Sequence, residues 1–97
     1  MLNLSHKKLD VWKLALKLVL KIYELTNKFP SEEKSGIILQ LRRASVSCHS
    51  NLSEGLARIS KPEKKRFLEI SRSSLVEIDT QLEISLALKY CSESELT

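Results

Sequence analysis

The chain has 97 residues, of which 42% are hydrophobic and 29% charged, and its 16 Lys and Arg outweigh 12 Asp and Glu for a net charge of +4. That length holds one small domain with a core that is marginal by itself, and the composition excludes a disordered chain. The short apolar runs exclude a membrane-spanning helix, the two cysteines (Cys48 and Cys91) exclude a disulfide scaffold, and two glycines with two prolines argue against an all-β fold.

Three long helical patterns follow one another. The first is predicted over about 5–28. It stops at Phe29-Pro30, because proline pushes the preceding residue out of helical geometry. Ser31 then caps a second helix over about 31–58, with Glu32 and Glu33 at its positive dipole end. Ser60-Lys61-Pro62-Glu63 is a capping box that opens a third helix over about 61–90. Ser92-Glu93-Ser94-Glu95 is another, so a fourth helix begins at 92. The short connections predict antiparallel neighbours in one domain spanning 1–97, an all-α up-down bundle. With only the start of the fourth helix present, it is either a truncated four-helix bundle or a short variant with open seams on helices 1 and 3.

Helix 1 has a narrow polar arc and two apolar seams. Leu9, Trp12, Leu16, Val19, Leu20 and Tyr23 form one. Val11, Leu14, Leu18, Ile22, Leu25 and Phe29 form the other. Their combined arc is roughly 240°, wider than three helices cover, and calls for a fourth helix, a partner subunit or both. Val11, Leu14, Leu18 and Leu25 are expected at an oligomer interface, opposite a small-residue strip of helix 2 made by Leu39, Val46, Ser50 and Ala57. The main apolar face of helix 2 is Ile37, Leu41, Ala44, Cys48, Leu52, Gly55 and Ile59. Helix 3 is expected to bury Leu68, Leu75, Ile78, Leu82 and Leu86.

Between the two apolar strips of helix 2 lie Gln40, Arg43, Ser47, Asn51, Glu54 and Arg58, while helix 3 carries Ser74, Glu77 and Gln81 beside its apolar face. Folding back at Ser60 sets residues whose numbers sum to about 120 at one height. Arg43 then faces Glu77, and Ser47 faces Ser74. Arg43, Ser47, Asn51, Glu54, Ser74, Glu77 and Gln81 are therefore expected to form a structural polar core, with an Arg43–Glu77 pair fixing register.

No phosphate-binding loop, dinucleotide fingerprint, metalloprotease motif or nucleophile elbow is present. Cys48 and His49 are adjacent and diverge by about 100° on a helix, with Cys48 inside and His49 outside, so they do not form a metal site or a catalytic pair. No catalytic residue, metal or cofactor is expected. Charge is the functional signal: Lys7 and Lys8 meet Arg58, Lys61, Lys64, Lys65 and Arg66 at one end of the bundle, while Glu32, Glu33, Glu93 and Glu95 gather at the other. Few aromatic residues accompany the basic pole, which favours sequence-independent phosphate contact over base reading.

The stretch Gln40-Leu41-Arg42-Arg43-Ala44-Ser45-Val46-Ser47, with Asn51-Leu52-Ser53-Glu54-Gly55 and Arg58, resembles the hallmark of the bacterial four-helix-bundle proteins called 23S rRNA intervening-sequence proteins. Leu9-Asp10-Val11-Trp12-Lys13 and Leu25-Thr26-Asn27-Lys28-Phe29-Pro30 are similar to the family's first helix. Arg66-Phe67-Leu68-Glu69-Ile70 and residues 74–83 are similar to its third. The resemblance covers about 8–90 and implies a left-handed antiparallel four-helix bundle and a homopentamer. It also implies kinship with the accessory protein of diversity-generating retroelements, which works with nucleic acid. A non-enzymatic oligomer binding RNA or DNA through its basic pole is the expected function, and a protein-interaction scaffold with no nucleic-acid role is the alternative. With no N-terminal signal segment, the expected compartment is the cytoplasm.

Overall fold

The computed structural model describes residues 1–96, which form helices and turns with no strand among them. The long helices are α1 (Asp10–Thr26), α2 (Ile37–Ala57) and α3 (Lys61–Ala87), and a short α4 (Glu93–Leu96) follows. The chain is all-α.

The helix boundaries differ from the sequence reading where local chemistry intervenes. The first pattern is two pieces: a 3-10 turn over Ser5–Lys8, then an extended Leu9 (φ −72°, ψ 139°) that starts α1 afresh at Asp10. Ser31 does not cap α2. It begins a 3-10 turn over Ser31–Glu33, and α2 starts only after Gly36 (φ −104°, ψ −120°), with the Glu33 carboxylate accepting from the Ile37 amide at 3.5 Å. Ser60 does cap α3, its Oγ accepting from Glu63 N–H at 3.3 Å, with Pro62 in the first turn, where its missing N–H costs nothing. α3 ends at Ala87. The Tyr90 amide donates to the Ser85 carbonyl (2.9 Å) and the Lys89 amide to the Leu86 carbonyl (3.0 Å). Lys89 at φ 64° occupies the left-handed position that usually belongs to glycine. Ser92 N–H donates to the Glu95 carboxylate at 2.9 Å, the returning half of a capping box that opens α4.

α3 packs along most of α2, and α1 packs on α2 from another side, but α1 and α3 barely meet. At Gly55 α2 and α3 approach closely. A Cβ there would lie 3.0 Å from Leu68 Cδ2 and 3.3 Å from the Lys64 carbonyl oxygen. The core is Ile22, Leu25 and Phe29 of the first segment, Ile38, Leu41, Ala44 and Cys48 of α2, and Ile78 with Cys91. Three serines of α3, Ser71, Ser74 and Ser85, are buried as well. Leu68 and Leu75, expected in the core, are exposed. Ile59, just past the end of α2, is 96% exposed, since the chain is already turning away there.

Candidate nucleic-acid interface

One end of the bundle is built by Trp12. Its indole N–H donates to Ser53 Oγ at 2.7 Å, its ring centre lies 4.6 Å from that of His49, and the His6 ring stands T-shaped to it with centres 6.4 Å apart. These contacts hold the 3-10 turn beside the C-terminal third of α2. Lys7 and Lys8 thereby share an end with Arg58, Lys61, Lys64, Lys65 and Arg66. His49 is not on the outside, as the sequence reading had it, but half-buried under Trp12. Burial lowers its pKa below the ordinary histidine value.

The seven cations differ in what they already hold. Lys64 is half-buried, and its Nζ donates to the carbonyls of Gly55 and Leu56 at 3.5 and 3.2 Å, placing a positive charge on the negative end of α2. Arg58 pairs with Glu54 at 2.9 Å and lies over the Phe67 ring at 4.9 Å. Arg66 lies over the same ring at 5.7 Å, so Phe67 is occupied by two guanidinium groups. Lys7 donates to the Leu2 carbonyl at 2.8 Å, and Lys65 stands 4.0 Å from Glu69. Lys8 and Lys61 are exposed.

At the other end, acidic residues tie the chain together. Tyr90 O–H donates to Glu33 at 2.8 Å, and that bond raises its pKa above the usual phenol value. Glu95 pairs with Lys28 at 3.6 Å; the Ser92 amide holds its carboxyl below the usual carboxylate range. Burial pushes the Cys91 thiol up. Arg42 fastens α1 to α2: its guanidinium donates to Thr26 Oγ1 (2.9 Å) and Asn27 Oδ1 (3.0 Å) and covers the Tyr23 ring at 4.6 Å. Sequence reasoning missed this clamp and the Trp12–Ser53 bond. The polar residues spaced along one face of α2 were the available signal.

The strip expected to form a polar core is mostly a surface groove. Ser74 is buried and donates to Ser47 Oγ at 3.1 Å, and Asn51 donates to Ser47 Oγ at 3.2 Å. Arg43, Glu54 and Glu77 are exposed, and Gln81 is half-buried. Arg43 and Glu77 line the same groove, but neither belongs to any of the ion pairs among the described residues, so the expected register pair does not form. At the surface, water solvates both charges and removes the need for pairing.

Of the residues expected at an oligomer interface, Val11, Leu14, Val46, Ser50 and Ala57 are exposed, and Leu18 and Leu39 are half-buried. Leu25 is a correction: at 8% exposure it belongs to the subunit's own core. Between α1 and α3, Val11, Leu14, Leu18 and Leu75 wall an apolar groove of about 230 Å³ floored by Cys48 and Leu52.

An all-α bundle with one cationic end and open apolar seams is the class of protein that this fold and surface define. The chain belongs to the 23S rRNA-intervening sequence protein family, whose model matches residues 7–97. Among curated proteins, none matches the chain. No helix among the described residues is long and apolar enough to cross a membrane.

Proposed function

We propose that this chain is a non-enzymatic, cytoplasmic, oligomeric helical-bundle protein that binds RNA or DNA through its basic pole. The observation that carries this reading is the packing of the 3-10 turn against α2, with Trp12 bonded to Ser53 near the end where α2 gives way to α3; Lys8, Lys61 and Lys65 are exposed. Phosphates fit such an array without base reading, because the nearby aromatic rings of Trp12 and Phe67 are already engaged. The exposed Val11, Leu14 and Val46 support assembly into the homopentamer that family membership leads us to expect. In a closed ring, equivalent poles would join into one rim whose many weak contacts add.

Fluorescence anisotropy with labelled RNA and DNA across a salt series tests this. Affinity should fall linearly on log–log axes, with a slope of about −0.9 per duplex phosphate neutralised. Changing Lys8, Lys61 and Lys65 together to Glu should abolish binding with the helix content intact. Lys64 is left alone because it caps α2. Absence of binding by the unaltered protein at low salt would favour the protein-interaction scaffold, which the same apolar surfaces of α1 and α2 support.

A further inference from the structure

Two exposed faces of the subunit are both apolar but opposite in charge. On α1, Lys13, Lys17 and Lys21 recur at a spacing of four, which sets them in one row along the helix. By helical spacing Leu14 lies along one side of that row and Leu16 and Leu20 along the other, and all three leucines are exposed. Between 11 and 23 this helix carries no acid. On α3, Glu77, Asp79 and Glu83 are exposed, with exposed Val76 and Ile84 among them. Between 73 and 88 that helix carries no cation. None of these lysines and acids belongs to an ion pair among the described residues. Scattered exposed apolar side chains need no explanation, but apolar residues grouped along a helix and rimmed by charge mark a contact surface.

We propose that a second copy of this chain covers both faces: α1 of one copy lies on α3 of the next, the lysine row against the acids and the flanking leucines against Val76 and Ile84. Burial of the apolar residues supplies the affinity, and the charges select which faces meet. Setting α1 on α1 would bring two lysine rows together, and setting α3 on α3 would bring carboxylates together, so each face rejects its own kind. The strip of α2 that the sequence reading sets opposite α1 is a poorer counterpart, because Arg43 borders Leu39 and Val46 there and adds a charge of the same sign as the lysines. This inference rests on the self-association proposed above and names the surfaces that carry it.

Sedimentation velocity at low salt tests it with two doubly substituted proteins. Lys17→Glu with Lys21→Glu makes α1 acidic, and Asp79→Lys with Glu83→Lys makes α3 basic. Each protein alone should self-associate about tenfold or more weakly than the parent, because like charges then face each other. An equimolar mixture of the two should associate again: the acidic α1 meets the basic α3, and the unaltered faces meet each other. Both proteins should keep the helix content of the parent, because the altered side chains are exposed, so loss of association cannot be confused with misfolding. A parent protein that stays monomeric at micromolar concentration would overturn this inference together with the proposed oligomer. A parent that assembles while both altered proteins assemble equally well, or a mixture that stays dissociated, would overturn the interface alone and leave self-association standing.

Discussion

The two ends of the bundle carry apolar residues at the same helical spacing but bury them differently. Toward the acidic end, Ile22, Leu25 and Phe29 close on Ile38, Leu41 and Ile78, with Tyr90 and Leu96 packed against them. Toward the basic end, Val11, Leu14, Leu68 and Leu75 stay exposed, and α1 is held mainly by the Trp12 contacts. The acidic end has a lid, formed by the chain that follows α3. At the basic end none of the described residues fills the apolar groove between α1 and α3. Periodicity reports which residues want burial, while the neighbours present decide which obtain it.

The largest test of this difference is truncation of one leucine from each end. Leu41 is fully buried, so Leu41→Ala should cost about 2–5 kcal/mol in urea unfolding. Leu14 is 62% exposed, and Leu14→Ala in the isolated subunit should change stability by no more than about 0.5 kcal/mol. In an assembled oligomer that seats Leu14, the second value would grow with protein concentration, which sharpens the contrast into a map of the interface.

Intermediate effects belong to the helix ends. Lys64→Glu would set a carboxylate against the carbonyl end of α2 in place of the ammonium that now bonds Leu56. A loss of about 1–2 kcal/mol is expected from thermal melts, enough to separate this lysine from its exposed neighbours Lys61 and Lys65. Lys89→Gly should act in the opposite direction. Lys89 holds φ 64°, which a residue with a Cβ adopts at a cost of roughly 1 kcal/mol and glycine does not, so the melting temperature should rise.

The helical architecture was legible because capping residues and Phe29-Pro30 punctuate long apolar periodicities. The Ser60 cap, the antiparallel return and the start of α4 could be read that way. Gly36 was harder, since a glycine inside a periodic pattern has no visible cost until its backbone leaves the helix. The strongest error concerned polarity. Arg43 and Glu77 lie beside apolar residues in the sequence, which reads as partial burial, but the groove they line is open and leaves them solvated. His49 erred in the opposite sense. It points away from the main apolar face of α2, and only the placement of Trp12 on α1 makes a second buried face there. Such facts depend on which helix lies alongside, information that the periodicity of a single helix does not carry.

The smallest expected effect probes that second face by pH. Burial lowers the pKa of His49 in the folded protein, while the unfolded chain keeps a value near the ordinary 6.5. Between those two values the unfolded state binds more protons, so stability rises with pH. The contribution of His49 is complete above the unfolded value and is lost as pH falls through the lowered folded value. The Trp12 ring, 4.6 Å from that of His49, attracts an imidazolium and offsets part of this loss. The melting temperature should therefore decline modestly as pH drops below the ordinary histidine range, and His49→Gln should flatten that decline. Glu95 loses its own contribution in a separate, more acidic window, because its folded pKa is held below the usual carboxylate value. Parallel pH profiles for the parent and His49→Gln would remove His49 from the hold on α1 and leave the Trp12–Ser53 hydrogen bond as the principal tie at that end.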